Sequence, residues 1–211
     1  MTWSPLYAVV DVEACARAGR DPVETAAAFA GGGARLIQLR AKALGSGAFV
    51  TLAREVVQRA GTEVTVIVND RADVAAVAGA GGVHVGQDDL PPSAVRRLVG
   101  DAATVGLSTH TVEQAAAALD EPVDYIAVGP VFGTTTKDTG YAAVGLDLVR
   151  RVAALARPRG VRLVAIGGIT LDRAADVVAA GADAVCVISD LLRDAPAARV
   201  EAYLEKLGAR P

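Results

Sequence analysis

Eight short apolar runs, each followed by a stretch with helical apolar spacing, recur along the chain and limit its fold more than any motif does. The runs are Leu6–Val10, Arg35–Arg40, Val64–Asn69, Gly82–Val85, Thr104–Ser108, Tyr125–Gly129, Leu163–Gly167 and Ala184–Ser189. Between them lie patterns such as Phe49, Leu52, Ala53, Val56 and Val57, which share one face of a helix. Strict strand–helix alternation predicts parallel strands joined by crossover helices. Eight such units in 211 residues predict an α/β fold, a single (βα)8 TIM barrel spanning residues 1–211. The competing doubly wound sheet would carry a glycine-rich nucleotide loop after its first strand. Here Val9-Val10 is followed by Asp11-Val12-Glu13-Ala14, without glycine.

Asp21-Pro22, Ser46, Thr111 ahead of Glu113-Gln114, and Thr170-Leu171-Asp172 supply helix-start signals. Gly61, Gly100 and Gly181 supply stops, and a closing helix is expected after Ala195. Gly31-Gly32-Gly33 and Gly79-Ala80-Gly81-Gly82 precede strands, which makes them helix stops rather than phosphate loops.

The 52% hydrophobic fraction, rich in alanine and valine, suits a layered core of small side chains and excludes a disordered chain. A net charge of −3 and a pI of about 5.4 argue against a broad cationic face for nucleic acid or an anionic membrane. Bound anions must then be held by a few local cations. Two cysteines, Cys15 and Cys186, are too few for a disulfide scaffold, and with His84 and His110 they show no zinc-ligand spacing. The N-terminus lacks a signal-peptide pattern and no apolar run is long enough to span a bilayer, so a cytoplasmic protein is expected.

Chemistry in such a barrel gathers at the C-terminal strand ends. In the second run Gln38 and Arg40 share one face, opposite Ile37 and Leu39, and should turn to the mouth, with Lys42 just beyond. The third run ends in Asn69-Asp70-Arg71 and the fourth in Gly86-Gln87-Asp88-Asp89. Carboxylates ~4 Å apart repel by about 4 kcal/mol at an effective dielectric of about 20, so a pair at one mouth calls for a hard cation such as Mg2+ shared with a phosphate. The structural alternatives are that Asp70 caps the next helix and that Asp88 or Asp89 starts the turn before Pro91-Pro92. Ser108 either contacts a ligand or caps a turn. His84 reads as a structural histidine, Cys186 as a small core residue, and neither His110 nor Cys15 has a visible activating neighbour.

After the sixth run, Gly133-Thr134-Thr135-Thr136-Lys137 collects three hydroxyls and a lysine in one loop. Gly167-Gly168 and Ile188-Ser189 end the seventh and eighth runs, where this fold grips phosphate with main-chain N–H groups. Two phosphate-handling regions follow from these placements.

Seven pieces then resemble the thiamine phosphate synthase family, in order and over nearly the whole chain: Gln38–Lys42, Asn69–Asp73, Gly82–Asp89, Gly106–His110, Asp124–Lys137, Ala165–Ile169 and Gly181–Ser189. The resemblance implies an enzyme that joins a hydroxymethylpyrimidine diphosphate to a hydroxyethylthiazole phosphate, giving thiamine phosphate and pyrophosphate. It implies that Gln38, Leu39, Arg40, Ala41, Lys42 and Asn69 hold the pyrimidine diphosphate, that Asp70 and Asp89 bind Mg2+, and that Ser108 and Lys137 contact the diphosphate. Thr134, Thr135, Thr136, Gly168, Ile188 and Ser189 would hold the thiazole phosphate, with Arg40, Lys42, Ser108 and Lys137 serving catalysis. The implied route is dissociative: pyrophosphate leaves first and the aminopyrimidine stabilises the carbocation. Such a route needs no nucleophile, and none is apparent. A thiazole tautomerase-like relative and a non-catalytic phosphate-binding barrel are the alternatives; the family's tautomerase branch lacks the two aspartates and usually has cysteine before the loop lysine, where Thr136 stands here. Tyr141 receives no role, and the oligomeric state is not legible.

Overall fold

Valine, leucine, isoleucine and alanine dominate the eight strands because each strand is covered on both faces, by helices outside and by its opposite neighbours inside. The computed structural model describes residues 3–133, 142–193 and 195–209. The strands are β1 (Leu6–Asp11), β2 (Leu36–Arg40), β3 (Thr65–Asn69), β4 (Gly82–Val85), β5 (Thr104–Thr109), β6 (Tyr125–Val128), β7 (Arg162–Ile166) and β8 (Ala184–Val187). They pair in parallel in sequence order, and β8 returns to β1, which closes the barrel.

The helices are α1 (Val12–Arg17), α2 (Pro22–Gly31), α3 (Ser46–Ala60), α4 (Ala72–Ala78), α5 (Pro92–Val99), α6 (Val112–Ala118), α7 (Gly145–Ala156), α8 (Leu171–Ala179) and α9 (Pro196–Lys206). No helix among the described residues is long and apolar enough to cross a membrane. Asp21 caps α2 by accepting from Glu24 N at 2.9 Å, and Thr111 caps α6 by accepting from Gln114 N at 3.2 Å, as expected. Ser46 does not cap α3. Gly45 holds that position, and the Ser46 hydroxyl instead accepts from Arg71 Nη2 at 2.7 Å. Two further differences from the sequence pattern bear on the mouth of the barrel. Asp11 extends β1 by one residue and caps an extra short helix, accepting from Ala14 N at 2.7 Å. β8 stops at Val187, where the chain tightens into a 3-10 turn over Ser189–Leu192.

Strand alternation divides the interior. Ile37, Leu39, Val66 and Val68 pack outward against the helices, while Tyr7, Leu36, Ile67, Tyr125, Val164 and Cys186 fill the barrel. Tyr125 is admitted by Gly106: a Cβ there would sit 2.0 Å from the tyrosine ring. Trp3, just before β1, closes the lower end with its ring 5.6 Å from that of Tyr125. Large side chains below and polar ones above leave open interior space at the C-terminal mouth.

Candidate active site

A cavity of about 270 Å3 opens at that mouth. Gln38, Arg40, Asn69 and Ser108 line it from β2, β3 and β5, and Gly168, Ile188 and Ser189 line it from beyond β7 and β8. These seven expected residues, scattered through the sequence, meet in one space. Leu39 and Ala41 are different, because their side chains are buried in the helix-facing core and only their main chain is available to a ligand. Thr134, Thr135, Thr136, Lys137 and Tyr141 lie outside the described residues.

Arg40 ends β2 directly opposite Asp11 of β1. Its Nη1 donates to Asp11 Oδ2 at 2.5 Å, with Glu13 Oε2 at 3.9 Å, while its Nε is buried with no hydrogen-bond partner among the described residues. Asp11 is 2% exposed, so the arginine neutralises a carboxylate that water cannot reach. Neither Asp11 nor Glu13 stood out in the sequence. An acid after the first strand has meaning only once the strand pairing is known.

Lys42, Asp70 and Asp89 sit just outside the cavity lining. Lys42 Nζ forms an ion pair with Asp70 Oδ2. Burial pushes the Asp70 carboxyl above the usual carboxylate range; the Lys42 hydrogen bond pulls it back, and the charge of nearby Asp89 adds to the rise. Asp70 is the one non-glycine residue among those described with positive φ, at +63°, and its N–H donates to the His84 carbonyl at 2.7 Å. Its side chain does not cap α4, whose N-cap is Arg71 without a side-chain bond. A left-handed aspartate held across two strand ends is the type of local strain that collects at functional positions. Asp89 Oδ2 accepts from Gly86 N at 2.7 Å, whereas neighbouring Asp88 is exposed. Among the described residues no cluster of three or more metal-ligating side chains exists. Two facing carboxylates, one with its ionisation opposed by burial, fit a hard cation that keeps its remaining positions for water and phosphate oxygens.

Beneath the mouth a polar file crosses the barrel. Gln38 Nε2 donates to Tyr7 Oη at 2.8 Å, Tyr7 Oη meets Tyr125 Oη at 2.9 Å, Tyr125 Oη meets His84 Nδ1 at 2.9 Å, and His84 Nε2 meets Ser108 Oγ at 2.8 Å. His84 is therefore an internal, hydrogen-bonded histidine, as its position in a strand suggested. His110 Nδ1 lies 2.6 Å from the Gly129 carbonyl oxygen. Cys186 is packed inside the barrel, and burial pushes the Cys15 thiol up, away from reactivity.

The β7–β8 side is built from main chain. Gly167 and Gly168 have φ of +102° and +63°, and a Cβ at Gly168 would lie 2.5 Å from the Gly133 carbonyl oxygen. Arg173 Nη1 donates to the Gly168 carbonyl at 3.2 Å while its guanidinium covers the Phe132 ring, 4.7 Å from the centroid. Asp190 next to Ser189 is 5% exposed and accepts from Tyr203 Oη at 2.6 Å, Arg199 Nη2 at 2.7 Å and Leu171 N at 3.2 Å. Burial opposes its charge, yet the Tyr203 and Arg199 bonds hold its carboxyl below the usual range. This cluster ties α9 and the start of α8 to the turn that carries Ser189. Arg173, on α8, and Arg193, just after the 3-10 turn, also line the cavity; the sequence did not mark them, because exposed arginines carry no signal of their own.

Residues 6–191 match the family model for thiamine monophosphate synthase. The chain is 44% identical over 208 residues to the thiamine-phosphate synthase of Koribacter versatilis, covering 96% of this chain and 95% of that one. It is 45% identical over 192 residues to the thiamine-phosphate synthase of Anaeromyxobacter dehalogenans, covering 89% and 85%. Among solved structures, the thiamine phosphate pyrophosphorylase of Pyrococcus furiosus superposes with a TM-score of 0.85 at 27% identity, over 96% of this chain and 95% of that one. With residues 6–191 matched by the family model, relatives at 44% and 45% identity over most of its length, and a closed eight-stranded barrel, the chain belongs to the thiamine monophosphate synthase family.

Proposed function

We propose that the chain is a thiamine-phosphate synthase, a cytoplasmic transferase that couples a hydroxymethylpyrimidine diphosphate to a hydroxyethylthiazole phosphate. The observation that carries the reading is one mouth with two unlike ends suited to anions: charged side chains in ion pairs at β2–β4, and glycine main chain with Arg173 and Arg193 nearby at β7–β8. Its substrates are small molecules, and nucleic acid has no part in it.

Arg40 and Lys42 face the diphosphate and offset its charge as the pyrimidine carbon–oxygen bond breaks. Ser108 donates to the same group, and Lys137 is assigned the remaining cationic role. Gln38 and Asn69 hold the pyrimidine ring, with Leu39 and Ala41 contributing main-chain contacts. Gly168, Ile188 and Ser189, with Thr134, Thr135 and Thr136, hold the thiazole phosphate so that its ring nitrogen meets the cation once pyrophosphate has left. Asp70 and Asp89 would hold Mg2+, which when bound neutralises charge on the departing pyrophosphate. The Asp70–Asp89 juxtaposition supports this reading over an isomerase that would need no metal. The test is coupling of the two phosphorylated precursors with and without Mg2+. Formation of thiamine phosphate only with the metal supports the reading; thiazole isomerisation without coupling refutes it.

A further inference from the structure

The file beneath the mouth has a direction, and that direction decides what its two ends offer a ligand. Burial holds both phenols in their protonated form, pushing the ionisation of Tyr7 and Tyr125 far up, so each has one hydrogen to give. Tyr7 accepts from Gln38 Nε2, so the acceptor within reach of its own hydrogen is Tyr125 Oη, 2.9 Å away. The acceptor then within reach of the Tyr125 hydrogen is His84 Nδ1, also at 2.9 Å. A neutral imidazole that accepts at Nδ1 carries its hydrogen on Nε2, where it is given to Ser108 Oγ. Ser108 then keeps its own O–H for the cavity, and Gln38 keeps its carbonyl oxygen. Run the other way, the file would leave the Tyr7 hydrogen buried without an acceptor, because Gln38 already donates to that oxygen.

We propose that His84 is a positioning residue of this enzyme: through Tyr125 and Tyr7 it fixes Ser108 as a hydrogen-bond donor toward the diphosphate and Gln38 as an acceptor for the pyrimidine amino group. This rests on the synthase reading for what the two ends bind, but the direction of the file stands on the protein alone. His84 borders the cavity, but both of its ring nitrogens are taken up by Tyr125 and Ser108, so the role assigned to it is positioning and not catalysis. It acts by holding the Ser108 hydrogen toward the group on which charge grows, so its effect belongs to the step that expels pyrophosphate. The main chain of the same residue accepts from Asp70 N, which ties the file to the carboxylate end of the site.

Nitrogen NMR of the ligand-free protein labelled with 15N-histidine tests the direction without any substitution in the file; a His110→Asn spectrum separates the two histidines. The expected result is the Nε2–H tautomer for His84, and an Nδ1–H tautomer or an even mixture overturns the proposal. Tyr125→Phe should free the tautomer to interconvert and lower kcat about tenfold, with KM for the thiazole phosphate unchanged. In a double-mutant cycle, Tyr125→Phe should cost less than twofold in a Ser108→Ala background yet keep its full effect in a Ser189→Ala background. Equal losses in all three backgrounds show a merely structural role and overturn the proposal. If the unaltered protein couples no substrates, the synthase reading fails while the tautomer still decides the file.

Discussion

The two ends of the mouth are built by different means. At β2–β4 the site is made of side-chain charge held in partly buried pairs, Arg40 with Asp11 and Lys42 with Asp70. At β7–β8 it is made of glycine main chain packed so tightly that no side chain fits at residue 168. Under the proposed function the first end should respond mainly to charge and pH, and the second to shape as well, since Arg173 and Arg193 add charge beside the glycines. Such a division suits a reaction in which charge changes at one end only: the diphosphate departs, while the thiazole phosphate serves as a handle.

The largest effect expected is from Gly168→Val. A Cβ within 2.5 Å of a carbonyl oxygen, on a backbone at +63°, combines overpacking with conformational strain, on the order of 4 kcal/mol. Thermal unfolding should show that loss, and folded protein at low temperature should retain pyrimidine diphosphate binding but lose thiazole phosphate binding by calorimetry. Loss of both ligands together would break the division between the ends.

Arg40→Ala should come next. It leaves Asp11 buried without its counter-charge, which costs about 3 kcal/mol in denaturant unfolding. Among molecules still folded, kcat should fall far more than KM for the thiazole phosphate rises. Identical kinetic profiles for Arg40→Ala and Ser189→Ala would argue against separate anchors.

Asp70→Asn and Asp89→Asn should each raise the Mg2+ concentration for half-maximal activity by about tenfold, and Asp88→Asn, exposed outside the pair, should change it little. Unaltered Mg2+ dependence in both variants would sink the metal assignment. The stability consequence carries a definite sign. Burial raises the folded pKa of Asp70 above its unfolded value, so the folded state binds this proton more tightly. That contribution is full below the unfolded carboxylate value and is lost as pH rises through the folded one. In metal-free protein, Asp70→Asn should therefore raise Tm at neutral pH and lose that advantage in acid. A Tm gain that grows toward low pH contradicts the burial account. Cys15→Ser is the smallest change expected in activity, since the buried thiol lies in the helix-facing core away from the mouth with Thr25 Oγ1 as its hydrogen-bond partner, and kcat should remain within about twofold of the unaltered protein.

Alternation of eight apolar runs with helical spacing was enough to specify the barrel, since parallel strands covered on both faces are apolar in every position and their crossovers must be helices. Period-two alternation likewise placed Gln38 and Arg40 on the inner face, and glycines at helix ends were legible because few other residues take positive φ. The sequence-derived strands differ from the observed ones by a residue or two at their ends. β8 is the shortest of its expectation, as the turn at Ser189–Leu192 takes over once Asp190 is captured by Tyr203 and Arg199.

Partnership was not legible. That Asp11 meets Arg40, that Asp89 meets Asp70, and that five residues from β1, β2, β4, β5 and β6 form one directed file depends on closure of the barrel, which brings distant strand positions level with one another. His84 shows the limit most clearly. Its sequence neighbours mark only a strand interior, and its tautomer is set by a tyrosine 41 residues away. Composition and periodicity act locally along the chain and determine which faces are buried. Hydrogen-bond direction, carboxylate ionisation and the crowding at Gly168 come from groups that only folding makes neighbours, and those were decided by the tertiary structure.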